Sequence, residues 1–199
     1  MKYKKLVLGI DQSYTRTGLS LAGDGKLLKV ASLDFKGCKN KTEKRNALRN
    51  ALTNIIKCNI CKADEFVVLC ERIRTFSHGV ETEEVPVSKA SPKMFISTNY
   101  IKSTGALTAV IVDTAYEFSI PVFSVDTRSW KAQVVGSSKG SKKEGNKWET
   151  VKFVAKLGFD KSSVNRAGTV VYDDDACDSA CIALYGFIPI ARQTLKEEQ

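Results

Sequence analysis

Two short apolar runs in this sequence each end in a single carboxylate. In a predicted strand over 5–11, Leu6, Val7, Leu8 and Ile10 run into Asp11, and in a later strand residues 66–70 run into Glu71. A carboxylate that continues a buried strand is costly unless its charge is compensated. In α/β sheets, ligand sites lie beyond the carboxyl ends of the strands. If these two strands are parallel neighbours, Asp11 and Glu71 converge at one such site.

The rest of the hydrophobic pattern predicts an α/β domain. Two further strands at 17–22 and 27–35 are separated by a Gly-Asp-Gly turn that favours a hairpin. The other predicted elements are a helix over 42–57, a long loop over 75–98, a helix over 100–118, a strand over 121–125, and helices over 147–157 and 174–186. This order fits a mixed five-stranded sheet flanked by helices, with an antiparallel meander followed by helical crossovers. With 199 residues, we expect one domain over 1–199.

A third group of acids lies in the segment YDDDACDSACIALYGF. Asp175 and Asp178 are three residues apart at a predicted helix start, so they share a face. Several converging carboxylates would repel one another without cations, and Mg²⁺ or Mn²⁺ accepts such hard oxygen ligands. Two ions about 3.5–4 Å apart activate water and stabilise the leaving oxygen in phosphodiester cleavage. The acids therefore predict a two-metal site with phosphodiesterase chemistry.

Each acid also has a structural alternative. Asp173 and Asp174 are well placed to favour a helix N-terminus through its dipole. Asp11 could cap a turn, and Glu71 could pair with a neighbouring arginine at a strand end. The joint placement of the acids on two strand ends and one helix favours a site over these separate roles.

The net charge of +9, from 31 basic and 22 acidic residues, favours a polyanionic partner. No basic amphipathic helix with exposed aromatics stands out, so nucleic acid is favoured over a membrane. Residues 136–147 are rich in Gly, Ser and Lys and predict a flexible basic loop. Its lysines precede a predicted helix N-terminus and are candidate phosphate contacts, although a solvated surface loop has the same composition. They are Lys139, Lys142, Lys143 and Lys147. Residues 192–199 form a polar tail.

No apolar run approaches the roughly 20 residues that span a bilayer, and the start of the chain lacks a secretory signal pattern. There are six cysteines, at 38, 58, 61, 70, 177 and 181. Without a secretory signal, these predict a reducing compartment, and we expect a cytoplasmic protein. Cys58 and Cys61 form one CxxC pair with no second pair to complete a zinc site, so the cysteines are interpreted as small buried thiols.

Four segments together resemble the RuvC family, in order along nearly the whole chain. LVLGIDQSYTRTGLSLA resembles its opening strand-turn-strand, VVLCERI its second acidic strand, and DACDSACIAL its final helix. The segment PVFSVDTRSWKAQVVGSSKGSKKEGNKWETV resembles its late strand, basic loop and following helix. The resemblance implies an RNase H-like fold and an endonuclease that cuts DNA four-way (Holliday) junctions. It implies catalytic metal ligands, with Mg²⁺ or Mn²⁺, at Asp11, Glu71, Asp175 and Asp178.

The same resemblance implies a homodimer whose two sites cut opposite strands symmetrically and leave 5′-phosphates. The small size fits a bacterial or phage member, which would act in the bacterial cytoplasm. The predicted helix after residue 100 carries an apolar stripe that serves either a dimer surface or the core, with the core favoured for most of it. The stripe consists of Leu107, Val110, Ile111 and Phe118.

This chain departs from the family pattern over residues 75–98, which match poorly, and at two more specific places. Gln12 and Ser13 stand where the family often has Pro-Gly after the first acid. Bacterial members carry a base-stacking aromatic shortly after the second acid, whereas this chain has Arg74, and its nearest aromatic is Phe76. Both residues are candidate DNA contacts.

Three other functions also fit parts of the pattern. A noncatalytic branched-DNA-binding protein would not need the acids. A ribonuclease H would use them on RNA–DNA hybrids. An actin-like ATPase would suit IDQSYTRTG, but it needs two such domains and further glycine-rich phosphate loops.

Overall fold

The computed structural model describes residues 2–73, 98–136, 146–164 and 169–189. Its main sheet has five strands in the order β3-β2-β1-β4-β5. β1, β2 and β3 form an antiparallel meander, and β4 and β5 continue the sheet parallel to β1. The strands are β1 (Tyr3–Asp11), β2 (Arg16–Gly23), β3 (Lys26–Asp34), β4 (Ala63–Glu71) and β5 (Val122–Val125). The predicted mixed five-stranded sheet is confirmed.

Helices cover both faces of this sheet. The helices are α1 (Lys41–Asn59), α2 (Thr98–Tyr116), the single turn α3 (Thr127–Trp130), α4 (Asn146–Lys156) and α5 (Asp174–Tyr185). One apolar core lies between the sheet and α1 with α2, and a second lies between the sheet and α4 with α5. Along β1, Leu6 and Leu8 enter the first core and Val7 enters the second. A strand buried on both faces reads as a continuous apolar run, which explains the pattern before Asp11.

Several short elements were missed from sequence, α3 among them. Strands β6 (Ser162–Val164) and β7 (Val170–Tyr172) form a small antiparallel pair between α4 and α5. Each has only three residues, too few to show a periodicity of two. After α3, a π-helical turn covers Lys131–Val135 and ends at Gly136 in the left-handed region. Of the predicted basic loop, residues 146 and 147 belong to α4, and 137–145 lie outside the described residues.

The apolar stripe on α2 packs into the core, as favoured above. Leu107, Val110 and Ile111 are buried, and Phe118, just after the end of α2, packs against the same core while partly exposed. These residues therefore do not supply a dimer surface. From Thr104 onward, where the side chains of α2 are described, the exposed large apolar ones are Val112 and Tyr116.

The interpretation of the cysteines as buried thiols is correct for Cys70, Cys177 and Cys181, whereas Cys38 is only half-buried. It is wrong for Cys58 and Cys61, which are exposed because they lie at the end of α1 and in the 3-10 turn that follows it. Within the described segments, no helix combines the length and apolar character needed to cross a membrane.

Candidate active site

Asp11 and Glu71 end two neighbouring parallel strands. β1 and β4 pair in register up to Ile10 and Cys70, so the two acids follow side by side at the carboxyl edge of the sheet. The convergence expected from sequence at this edge is therefore present.

α5 brings Asp175 and Asp178 to the same edge because it packs on β1 and β2 at glycines. A Cβ at Gly18 would overlap the main-chain carbonyl of Asp175, and one at Gly9 would overlap the helix at Ser179. Gly18 is also the β2 partner of Asp11 in the sheet. The missing side chain at Gly18 therefore lets the start of α5 sit directly beside the first acid.

Asp173 fixes the start of α5. Its carboxylate accepts from the main-chain N–H of Ala176 at 3.1 Å and from the Ser32 hydroxyl at 2.5 Å. The guanidinium of Arg16 lies 3.5 Å away. The helix-capping role considered for Asp173 is therefore its role in the structure.

Negative charge is concentrated around Asp11. Burial raises the pKa of Asp11 well above its usual range, and the charges of Glu71, Asp178 and Asp175 raise it further. Carboxylates on three different elements therefore act on one another electrostatically. Asp11 at the end of β1 thus has Glu71 of β4 and both acids of α5 within electrostatic range.

Asp178 is nearly buried, with 13% of its side chain exposed. Burial raises the pKa of Asp178, while the ammonium of Lys131 and a hydrogen bond from Thr150 oppose that rise. Within the described part of the chain, the other carboxylate oxygen, Oδ1, is buried without a hydrogen-bond partner. A buried carboxylate oxygen left unpaired is costly, and a cation would remove that cost.

Three residues that contact these acids were missed from sequence. Thr127 donates its hydroxyl to Glu71, while Lys131 and Thr150 contact Asp178. Thr127 and Lys131 follow β5, which is parallel to β4 and ends at the same edge. The rule that sites lie beyond parallel strand ends could have identified this segment as a third contributor.

The donor set fits a divalent cation. As the side chains stand, no three acidic, histidine or cysteine groups in the described segments are arranged to hold one ion. However, four clustered carboxylates supply the hard oxygen ligands that Mg²⁺ and Mn²⁺ prefer. The unpaired oxygen of Asp178 and the like-charge crowding at Asp11 are both features that a cation would relieve.

Most of the predicted DNA contacts lie outside the described residues. These are Arg74, Phe76, Lys139, Lys142 and Lys143. Lys147 is the second residue of α4, three residues before Thr150, which contacts Asp178. The N-terminal part of α4, which follows the lysine-rich segment, is therefore close to the acids.

No protein-family model and no curated protein matches this sequence. Among solved structures, the chain is similar to Thermus thermophilus RuvC in complex with a Holliday junction substrate. The identity is 15% and the TM-score 0.59, over 90% of this chain and 90% of that chain. A second Thermus thermophilus RuvC structure is 16% identical with a TM-score of 0.54, over 96% of this chain and 97% of that chain. The likeness establishes that this chain has the RNase H-like fold of RuvC.

Proposed function

We propose that this protein is a metal-dependent endonuclease that cuts DNA four-way junctions. The observation that carries the proposal is that Asp11 and Glu71 follow neighbouring parallel strands at one sheet edge, beside the start of α5 with Asp175. Pure DNA binding has no use for a buried negative cluster, because such a cluster repels phosphate. The fold it shares with RuvC, whose structure contains a Holliday junction substrate, favours branched DNA as the substrate.

Asp11, Glu71, Asp175 and Asp178 would hold Mg²⁺ or Mn²⁺, with two ions per site. When bound, these ions supply an activated water and charge stabilisation for phosphodiester hydrolysis. The protein's own part is to place the four carboxylates on rigid elements. Packing of α5 at Gly18 positions the helix acids, and hydrogen bonds from Thr127 and Thr150 orient Glu71 and Asp178.

Lys131 balances part of the acidic charge. Its ammonium lies 3.8 Å from Asp178 Oδ2, and it also sits 5.0 Å from the centroid of the Trp130 ring. A cation in this position reduces the repulsion that an approaching phosphate meets. We infer that Lys131 allows the DNA backbone to approach a site that contains several carboxylates.

The symmetry of a four-way junction also suggests how the protein assembles and which products it makes. A four-way junction presents two equivalent strands, and a two-fold dimer would present two matching sites to them. We infer a homodimer that cuts symmetrically and leaves 5′-phosphates. The net charge of +9 provides attraction to the junction. Light scattering at micromolar concentration tests the dimer, and a fully active monomer would contradict it.

The main test is cleavage of labelled four-way junction, fork, linear duplex and RNA–DNA hybrid, with and without Mg²⁺ or Mn²⁺. We expect metal-dependent cuts in the junction, and their loss in Asp11→Asn, Glu71→Gln, Asp175→Asn and Asp178→Asn with junction binding retained. Asp64→Asn is the matched control, because Asp64 is an exposed acid paired with Lys2. Junction binding without cleavage would favour the noncatalytic alternative. Cleavage confined to the hybrid would favour a ribonuclease H.

A further inference from the structure

Gln12 makes an unusual pair of contacts directly after β1. Its side chain is buried, with 7% of the residue exposed. The amide Nε2 donates to the main-chain oxygen of Glu71 at 2.6 Å, and Oε1 accepts from the main-chain N–H of Glu71 at 3.2 Å. The Nε2 group also lies 3.4 Å from the hydroxyl of Thr108 on α2. The amide is therefore partnered at both ends.

These contacts continue the sheet where β1 leaves it. The ladder between β1 and β4 is paired as far as Ile10 and Cys70, after which the chain turns from Asp11 toward β2. On the other side of β4, the main-chain N–H of Arg72 donates to the main-chain oxygen of Val125 in β5. The main-chain N–H and carbonyl of Glu71 point toward β1, but β1 has no residue paired with Glu71. A primary amide presents a donor and an acceptor as a peptide group does, so Gln12 supplies the missing partner.

We propose that Gln12 is a positioning residue that fixes Glu71 relative to Asp11 for metal binding. It is the chain neighbour of Asp11, and it is hydrogen-bonded to both main-chain polar groups of Glu71. With Thr127 holding the Glu71 carboxylate, both ends of that acid are restrained. This role rests on the proposed function, because it concerns the same metal-binding acids.

A purely structural role makes different predictions. If Gln12 only completes the ladder, its loss lowers the stability of the fold and leaves the metal dependence of the folded protein unchanged. If Gln12 positions Glu71, its loss weakens metal binding in protein that is still folded. Removing an outer-shell partner of a metal ligand costs about tenfold to a hundredfold in metal affinity or activity.

The experiment measures junction cleavage against Mn²⁺ concentration, together with direct Mn²⁺ binding by titration, for wild type and Gln12→Met. Met keeps the length of the side chain and removes both amide contacts. We expect half-maximal activity to need about tenfold more Mn²⁺, with the KM for junction DNA unchanged. Excess Mn²⁺ should restore the rate of Gln12→Met and should not restore Asp11→Asn.

Two variants control for stability. Thr108→Val removes the weaker contact of Gln12 and leaves Glu71 paired. Thr114→Val removes a buried hydrogen bond to Val110 within α2, outside the acidic cluster. Both should keep the wild-type Mn²⁺ dependence. Gln12→Asn, which keeps the amide on a shorter side chain, provides a second variant if Gln12→Met does not fold, with the same expected shift.

The outcomes separate the two proposals. Wild-type protein that cleaves, with folded Gln12 variants that show its Mn²⁺ dependence, would overturn the positioning role alone. A shift of equal size in Thr114→Val would also overturn that role, because general destabilisation would then explain it. Wild-type protein that neither binds Mn²⁺ nor cleaves any substrate would remove the proposed function and this role with it.

Discussion

Lys131 Nζ lies 3.8 Å from Asp178 Oδ2, and only 14% and 13% of the two side chains are exposed. An ion pair this well buried is screened little by solvent, and losing one partner leaves the other as an uncompensated charge. A second lysine offers a comparison. Lys5 is equally buried, but its partner Glu65, at 3.2 Å, is half exposed. The two lysines are equally buried and only their partner acids differ in exposure. Comparing the two pairs therefore tests the effect of burying the acid.

We predict that Lys131→Met lowers the free energy of unfolding by about 1–3 kcal/mol in metal-free protein, because it leaves the buried Asp178 carboxylate without its cationic partner. Lys5→Met should cost under about 1 kcal/mol, because water solvates Glu65. Urea unfolding with and without Mg²⁺ provides the measurement. If Mg²⁺ binds beside Asp178, it should reduce the deficit of Lys131→Met. A deficit insensitive to Mg²⁺ would argue against an ion at that carboxylate.

The close approach of α5 to β2 gives a second prediction. Gly18→Ala places a methyl group into the main-chain carbonyl of Asp175, so the helix must move away from the sheet. We expect a loss of about 3 kcal/mol in the free energy of unfolding and loss of cleavage even in molecules that remain folded. Gly37→Ala is the matched control, since nothing lies within 4 Å of a Cβ there. Full activity in Gly18→Ala would show that the placement of Asp175 is not critical.

The sequence was most informative where chemistry and periodicity agree. An apolar run that ends in a carboxylate predicted both strand ends, and the spacing of Asp175 and Asp178 predicted their shared helix face. Both rules are local. The two strand-end acids come together because β1 and β4 are parallel neighbours.

Contacts made across elements could not be predicted in this way. Nothing in the local sequence shows that Thr127 reaches Glu71 or that Lys131 reaches Asp178, because each pair is distant along the chain. The short strands β6 and β7 depend on pairing with each other, and their three residues carry no pattern of their own. Gln12 was noticed only as a departure from a family pattern, and its contacts with Glu71 give that departure a physical explanation.

A third prediction follows from the crowding of charge at Asp11. Burial and three neighbouring acids raise the pKa of Asp11, so the folded protein holds that proton more tightly than the unfolded chain does. This group therefore makes metal-free protein less stable as the pH rises above about 3.9, the ordinary aspartate pKa, until the raised pKa is passed. Asp11→Asn should remove that part of the pH dependence.

At neutral pH in EDTA, we expect Asp11→Asn to raise the melting temperature by about 2–4 °C, which corresponds to about 1 kcal/mol. Added Mn²⁺ should stabilise the wild type more than this variant. Thermal unfolding between pH 5 and 8 provides the measurement, with Asp64→Asn as the surface control. A lower melting temperature for Asp11→Asn in EDTA would mean that the acid stabilises the fold and is not under electrostatic strain.

The last prediction concerns Lys142 and Lys143, which precede α4 in sequence, and Lys147, the second residue of α4. Each phosphate contact releases counterions, so each lost contact should lower the slope of log affinity against log salt by about one unit. Replacing Lys142, Lys143 and Lys147 together with Ala should therefore weaken junction binding and flatten its salt dependence. Circular dichroism provides the folding control for this triple variant.

A matched triple variant tests whether position or net charge is responsible. Lys26, Lys29 and Lys57 are exposed and lie toward the end of the sheet opposite Asp11. Changing these three to Ala removes the same charge, yet it should leave the salt slope close to that of the wild type. Equal effects from the two triple variants would show that net charge alone drives binding. An unchanged slope in the variant of Lys142, Lys143 and Lys147 would shift the search to the basic residues around Lys41 and Lys44. These two lysines lie against Tyr14, just after Asp11 and Gln12.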